Sequence, residues 1–235
     1  MRRVVRGFWG PRQESAEELA ARWSTTLDRF ARLLPQTTGT WHTAPASGPA
    51  ETLRPTEPSL LAALHTAQTT DDWSAANGTS LRLLADTTAP GWKVEIAALA
   101  GGTPQFLLQS LVATIVSPDE TPDDLPDAEL LTAVAESWYP DYGDVSDRAV
   151  TSALKKEAGF KIGTPSVGWV AYLSAGRAAR TPADALPDSK ELPTGGTLLT
   201  IAAPGDTATV VKAYQTLRHS GALDPLPHPM TRPTL

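Results

Sequence analysis

Residues 77–116 read NGTSLRLLADTTAPGWKVEIAALAGGTPQFLLQSLVATIV, and this stretch decides the fold class. The Asn77-Gly78 pair is a turn signal, and apolar and charged side chains alternate from residue 92 to residue 96. A period of two is typical of a half-buried strand, so we predict a hairpin over residues 81–86 and 92–99. Residues 106–116 are nearly all apolar and fit a central strand or, on the same periodicity, a short buried helix.

Helical patterns precede this hairpin. Ser15 and Glu18 form a capping box, and apolar residues then recur at spacings of three or four until Pro35 ends the helix. The following segment, residues 36–56, is rich in Thr, Pro, Ala and Gly and is expected to form a long loop. A shorter helix is predicted over residues 56–68.

Two further helices are predicted after the hairpin. One begins from a cap at Asp124 and ends at Trp138, and the other follows a cap at Asp206. The apolar positions of the long helices lie on one side, which predicts that this side faces the core. The side chains predicted for the core are Trp23, Phe30, Leu130 and Val134.

Short strands are also predicted at residues 3–9, 167–173 and 197–202. Consecutive strands that are joined by short turns pair antiparallel. We therefore expect one α+β domain over residues 1–223, with helices packed on one face of a mainly antiparallel sheet. The tail at residues 224–235 holds four prolines and is expected to be poorly ordered.

Composition excludes several classes of protein. The chain has 235 residues, a formal net charge of -6 and no cysteine. This charge argues against a strongly basic nucleic-acid binder, and the lack of cysteine excludes a disulfide scaffold and a thiolate metal site. The sequence has no apolar run of the roughly 18 residues that a membrane span needs, and we recognise no secretory signal. We therefore expect a cytoplasmic protein that contacts no membrane.

Patterns for catalysis and metal binding are missing from the sequence. The histidines show no metal-ligand spacing, and neither a GxSxG elbow nor a phosphate loop occurs. Carboxylate pairs such as Asp71-Asp72 are interpreted as solvated surface. We therefore predict no enzyme, and no catalytic residue, metal, cofactor or small-molecule substrate. The alternatives are a metal-dependent hydrolase that uses surface carboxylates and an adaptor module of a secretion system.

Three motifs resemble one protein family. They are FWGPRQESAEELA at residues 8–20, WYPDYG at residues 138–143 and PSVGWVAYLS at residues 165–174. In this order they are similar to the W-G-x-R-x-E-S-x-E, W-x-P-D-x-G and G-W-x-x-Y-L-S patterns of the immunity protein 52 family of bacterial polymorphic toxin systems. The resemblance runs from about residue 5 to residue 217, and residues 36–56 and the tail match nothing in it.

The resemblance implies an α+β domain with recurring tryptophans that binds and neutralises a cognate toxin. The implied toxin is a restriction-endonuclease-like nuclease domain, so the partner is a protein and the chain itself contacts no nucleic acid. An inhibitor needs no catalytic residues, which agrees with the absence of catalytic patterns. Trp9 is expected to pack beside Trp23, and Arg12 to pair with Glu14 or Asp141, because a cation near a helix N-terminus is unfavourable.

Negative charge is concentrated in residues 117–147, which hold ten acidic side chains and neither Lys nor Arg. The rest of the chain has 16 acidic and 20 basic side chains, so this segment supplies the whole negative excess. A solubilising surface is one interpretation. The other is that an acidic surface enters the basic, phosphate-binding cleft of the implied nuclease. The residues predicted for that partner-binding surface are Asp119, Glu120, Asp123, Asp124, Asp127, Asp141, Asp144 and Asp147.

Overall fold

The computed structural model describes residues 1–44, 50–118, 125–182 and 188–235. Within these ranges the chain forms ten strands and six helices. The strands are β1 (Arg2–Trp9), β2 (Thr37–Thr43), β3 (Thr52–Leu53), β4 (Thr79–Thr87), β5 (Lys93–Ala100), β6 (Gln109–Val116), β7 (Tyr142–Ser146), β8 (Val170–Leu173), β9 (Ser189–Glu191) and β10 (Thr197–Thr200). The helices are α1 (Ala16–Leu33), α2 (Glu57–Ala67), α3 (Asp127–Trp138), α4 (Arg148–Glu157), α5 (Ala175–Ala178) and α6 (Thr207–His219).

The strands form one antiparallel sheet in the order β3-β2-β4-β5-β6-β1-β7-β8-β10-β9. The predicted hairpin is present as β4 and β5, which pair from Thr79 opposite Ala100 onward. Of the two alternatives for the apolar stretch that follows, the strand is confirmed as β6, which pairs with β5 and β1. The α+β class and the mainly antiparallel sheet are therefore confirmed.

The first strand of the chain lies in the middle of the sheet. β1 pairs with β6 on one side and β7 on the other, and Gly7 is opposite Leu111 in β6 and Gly143 in β7. β1 therefore joins the earlier strands to β7 and the strands beyond it. A Cβ atom at Gly7 would lie 2.9 Å from Cγ1 of Val134, so the missing side chain lets α3 approach the sheet closely.

Helices α1, α2 and α3 cover one face of the sheet. α1 contacts both other helices, α2 lies over β4, and α3 lies over β1, β7 and β8. On the opposite face, alternate positions of β4, β5 and β6 are exposed or half-buried. β7 and β8 differ, because every residue in them is buried. Ala171 and Leu173 point away from α3 and are still fully buried, so this part of the sheet is covered on both faces.

Tryptophans form the centre of the core under the helices. The ring of Trp138 stacks on Trp9 with the centroids 5.5 Å apart, and it meets Trp23 edge-on at 5.7 Å. Its indole N–H donates a hydrogen bond of 2.7 Å to Oγ1 of Thr26. Trp138 therefore links Trp9 to Trp23. The four side chains predicted for the core are confirmed there, each at most 1% exposed: Trp23, Phe30, Leu130 and Val134.

The predicted helix caps are confirmed in α1 and α6. In the capping box of α1, the N–H of Glu18 donates to Oγ of Ser15 and the N–H of Ser15 donates to Oε2 of Glu18. Asp206 caps α6 through its side chain. The predicted cap of α3 is wrong, because that helix begins at Asp127 without a side-chain cap hydrogen bond. Asp124 itself lies outside the described residues.

The loop predicted over residues 36–56 contains the two strands β2 and β3. β2 pairs with β4, and its Trp41 is fully buried. The sequence of β2 has only one large apolar residue, so no alternation marks it as a strand. Pairing with β4 and burial of that single tryptophan stabilise it, and both are long-range effects. Residues 45–49 of the predicted loop lie outside the described residues.

The C-terminal tail, for which the sequence predicts poor order, packs against the rest of the fold in the structure. Leu226 and Met230 are 4% and 2% exposed. The N–H of Gly10 donates to the carbonyl oxygen of Pro233 at 2.8 Å, directly after β1. Proline removes a backbone donor but keeps its carbonyl acceptor, so a proline-rich segment can still be fixed by donors from the rest of the fold.

We expect Phe30→Ala to destabilise the protein by about 3–5 kcal/mol, because the substitution leaves a cavity between α1 and the sheet. Phe30 is fully buried. Arg32→Ala, on the exposed side of the same helix, is the matched control and should change stability by less than about 0.5 kcal/mol. Urea unfolding of both variants measures the difference. Equal stability of Phe30→Ala and the unchanged protein would contradict the assigned core.

Candidate functional site

The structure buries three of the eight carboxylates predicted to bind a partner. Asp127 is 8% exposed, and Asp141 and Asp144 are fully buried. Each of these three is paired with an arginine inside the protein, so its carboxylate is not exposed to a partner in this structure. Asp147 is half-buried and caps α4 by accepting from the N–H of Val150 at 2.8 Å. The other four lie outside the described residues: Asp119, Glu120, Asp123 and Asp124.

Asp141 and Arg177 form a fully buried ion pair, with 2.6 Å between Oδ2 and Nη2. Oδ1 of Asp141 accepts from the hydroxyl of Ser174 at 3.0 Å and from the N–H of Leu235 at 2.8 Å. Nη1 of Arg177 donates to two carbonyl oxygens that follow α6, at 2.7 and 2.8 Å. A Cβ atom at Gly176 would lie 2.0 Å from the oxygen of Leu235. The ion pair thus holds the tail against α5 and the start of β7.

Asp144 and Arg6 are opposite each other in β7 and β1. Nη2 of Arg6 lies 2.8 and 3.0 Å from the two carboxylate oxygens, and the hydroxyls of Ser146 and Ser166 donate to the same carboxylate. Burial lowers the pKa of Arg6, but the charge and hydrogen bonds of Asp144 outweigh burial, so the pKa is raised. Burial also raises the pKa of the neighbouring Tyr142, so this phenol stays neutral.

Asp127 connects the start of α3 to β1 and to the start of β8. Nη1 of Arg3 lies 3.2 Å from Oδ1 of Asp127, and the indole N–H of Trp169 donates to Oδ2 at 2.8 Å. The guanidinium of Arg3 also lies 6.0 Å from the centre of the Trp169 ring. This carboxylate therefore stabilises the fold, as do Asp141 and Asp144.

Within the described residues, no group of three or more His, Cys, Asp or Glu side chains is placed to hold a metal ion. His42 lies 2.9 Å from a carboxylate oxygen of Asp86 in the neighbouring strand, and His228 stacks on Phe106. None of the helices formed by the described residues is long and apolar enough to cross a membrane.

A cleft of about 520 Å³ lies between α1, α3 and the strands β9 and β10. Its lining combines the apolar side chains of Leu33 and Leu198 with three basic and two acidic side chains. Arg29 and Arg32 are also paired with carboxylates outside the lining, so the cleft has no strong excess of either charge.

Four large apolar side chains are exposed at one end of the sheet. Trp73 precedes β4, Phe106 and Leu107 precede β6, and Tyr139 precedes β7; their exposed fractions are 38%, 74%, 47% and 48%. The register places the starts of β4, β6 and β7 beside the ends of β5 and β1, so all four lie at the same end. We call this surface the apolar end. No local pattern in the sequence indicates this surface, because residues 106–116 read as one buried stretch.

Tyr139 has an unusual backbone conformation at the apolar end. It ends α3 in the left-handed region, with φ 47° and ψ 55°, which a bulky residue rarely adopts. Nη1 of Arg12 donates to its carbonyl oxygen at 3.4 Å, and the guanidinium of Arg22 lies 5.2 Å from the ring centre. Both arginines also bind Glu14, at 3.0 and 2.5 Å. Of the two partners predicted for Arg12, Glu14 is therefore confirmed.

Comparison with known proteins assigns the chain to a family. The family model for immunity protein 52 matches residues 4–226. The chain belongs to the immunity protein 52 family. No curated protein matches it significantly. A solved structure of a Pseudomonas aeruginosa T6SS protein is similar, with a TM-score of 0.54, 17% sequence identity and coverage of 94% of this chain and 72% of that chain. At this identity the similarity shows the fold alone.

In this member of the immunity protein 52 family, the three motifs build the core and the buried ion pairs. The first motif supplies Trp9 and the capping box, and the second supplies Trp138 and Asp141. The third supplies Trp169, which donates to the carboxylate at the start of α3. Tyr139 differs from these residues, since its ring is exposed although its backbone is fixed by neighbouring motif residues.

We expect Asp141→Ala to destabilise this immunity protein 52 member by about 3–5 kcal/mol, because it leaves the guanidinium of Arg177 buried without its counter-charge. Glu95→Ala removes one partner of the exposed ion pair with Arg82 and serves as the control. It should cost less than about 1 kcal/mol. Thermal and urea unfolding measure both values. Similar losses in the two variants would show that the buried pair has no special structural role.

Proposed function

We propose that this immunity protein 52 member binds a cognate bacterial toxin and neutralises it stoichiometrically, and that the toxin is a restriction-endonuclease-like nuclease. The family match over residues 4–226 carries the proposal. An inhibitor of this kind acts by covering a surface of its target, so its function depends on exposed side chains. The proposal places the protein in the cytoplasm, together with the nucleic acid that the toxin would cut.

The charge of the chain supports a basic partner. Its formal net charge is -6, and residues 117–147 contain no Lys or Arg. Three carboxylates of that segment are neutralised by arginines inside the fold. The other acidic residues of the segment still give it a negative balance. A nuclease needs basic groups to hold phosphates, so opposite charges would speed the encounter. We therefore assign the acidic segment a steering role in association.

Co-expression with the toxin domain encoded by the adjacent gene tests the proposed function. We expect the toxin domain to stop growth alone and cells to grow when this protein is co-expressed. The purified proteins should form a stable complex, and one equivalent should abolish cleavage of plasmid DNA or RNA by the toxin. Growth arrest that persists with the protein present would contradict immunity. A toxin that leaves nucleic acids intact but is still neutralised would contradict only the proposal that the toxin is a nuclease.

Charge reversal tests the steering role. We expect the double variant Asp119→Lys with Glu120→Lys to associate with the toxin several-fold more slowly at low salt, with the difference shrinking as salt is added. Glu157→Lys with Glu191→Lys changes the net charge by the same amount at two exposed positions elsewhere and is the matched control. Stopped-flow or surface-binding kinetics measure the rates. Equal slowing in both variants would contradict a steering role of the acidic segment.

A further inference from the structure

The apolar end gathers large exposed apolar side chains to an extent that the rest of the described surface does not match. Its members are Trp73, Phe106, Leu107 and Tyr139. The other exposed large apolar side chains of the described residues are dispersed: Met1 at the start of β1, Leu84 in β4 and Ile162 after α4. Single apolar residues are common on protein surfaces, whereas several large ones at the same end of a sheet favour an interaction site there.

Tyr139 is held in place before any partner binds. Its backbone is left-handed. The N–H of Tyr139 donates to the carbonyl oxygen of Ala135 at 3.0 Å, its own carbonyl oxygen accepts from Arg12 at 3.4 Å, and the guanidinium of Arg22 lies 5.2 Å from its ring centre. Strained residues of this kind concentrate at functional sites, where the surrounding structure fixes them. An exposed aromatic ring with a fixed orientation loses little conformational entropy on binding, and such rings dominate the energetics of protein interfaces.

The arginines beside Tyr139 have an unbalanced charge. Arg12 and Arg22 share the single carboxylate of Glu14, and their side chains are 18% and 22% exposed, so a partner can reach them. Burial lowers the pKa of Arg12, and the charge of Arg22 lowers it further, although Glu14 opposes both effects. The two acidic residues of the first turn of α1 already face the positive end of that helix. A second carboxylate near Arg12 and Arg22 would therefore be stabilised.

We propose that the toxin binds at the apolar end, where an apolar pocket of the toxin receives the ring of Tyr139 and a toxin carboxylate pairs with Arg12 and Arg22. This inference rests on the proposed function, because family membership identifies a toxin as the partner. The remaining apolar side chains of the end extend the contact around Tyr139. The acidic segment then sets the rate of encounter, and the apolar end sets the lifetime of the complex.

The open face of the sheet is the competing surface, and some of its charges are already paired. Arg82 and Glu95 form two hydrogen bonds of 2.8 Å, and Arg6 is bound to Asp144. The most exposed large apolar side chain of this face is Leu84, at 37%. Among the described residues this face therefore offers a partner no cluster of large apolar groups.

Two substitutions at the apolar end test the inference. Tyr139→Asn removes the ring and keeps a residue that tolerates the left-handed region, so the fold should be retained. Phe106→Ala removes the most exposed aromatic ring of the end. With the nuclease-inactivated toxin domain, we expect each variant to raise Kd about tenfold or more, mainly through faster dissociation.

Leu84→Ala and Ile162→Ala are matched controls, because they remove exposed apolar side chains away from the apolar end. We expect Kd for the controls to stay within about twofold of the unchanged protein, and all four variants to keep its far-UV spectrum. A toxin domain that does not bind the unchanged protein would overturn the proposed function and this inference with it. Binding of the unchanged protein with equally tight binding of Tyr139→Asn and Phe106→Ala would overturn this inference alone. Weakened binding of Leu84→Ala would then assign the interface to the open sheet face.

Discussion

The buried ion pair of Asp141 and Arg177 is the constraint on which the second half of the structure depends. Removing two charges from water costs several kcal/mol per ion, so the pair is stable only when its other polar atoms are also bonded. The hydroxyl of Ser174, the N–H of Leu235 and two carbonyl oxygens after α6 supply most of these bonds, and only Nε of Arg177 is left buried without a partner. The N–H of Asp141 in turn donates to the carbonyl oxygen of Phe8 at 2.7 Å. One polar centre therefore fixes the start of β7, the end of β8 and the path of the tail.

Local patterns in the sequence predict the elements whose stability is local. The capping box of α1, the cap of α6 and the alternation in β5 are short-range signals, and the structure confirms each one. The position of β1 between β6 and β7, the pairing of β2 and the packing of the tail depend on contacts between residues far apart in sequence. Periodicity carries no information on such contacts, which is why these features were missed or predicted incorrectly.

The same distinction between local patterns and long-range contacts explains why several residues predicted to bind a partner are buried. A run of acidic residues reads as surface in a sequence, because burial of a carboxylate requires a partner that local spacing cannot reveal. Asp127, Asp141 and Asp144 find that partner in arginines at least 36 positions away. Tyr139 lies within a family motif, and local spacing does not indicate its left-handed backbone or its contact with Arg12 from another part of the chain. The charge balance could be predicted from sequence, whereas the availability of each charge could not.

The width of the sheet has a consequence for how the protein behaves at high concentration. A broad antiparallel sheet ends in two edges, and an edge with a long row of unpaired N–H and C=O groups recruits strands from other molecules. Here the edges are β3, with two residues, and β9, with three exposed residues that include Lys190 and Glu191. Such short edges, one of them charged, offer few backbone groups with which a strand of a second molecule could pair. Intermolecular strand exchange and fibrillar aggregation are therefore disfavoured, even though ten strands lie side by side.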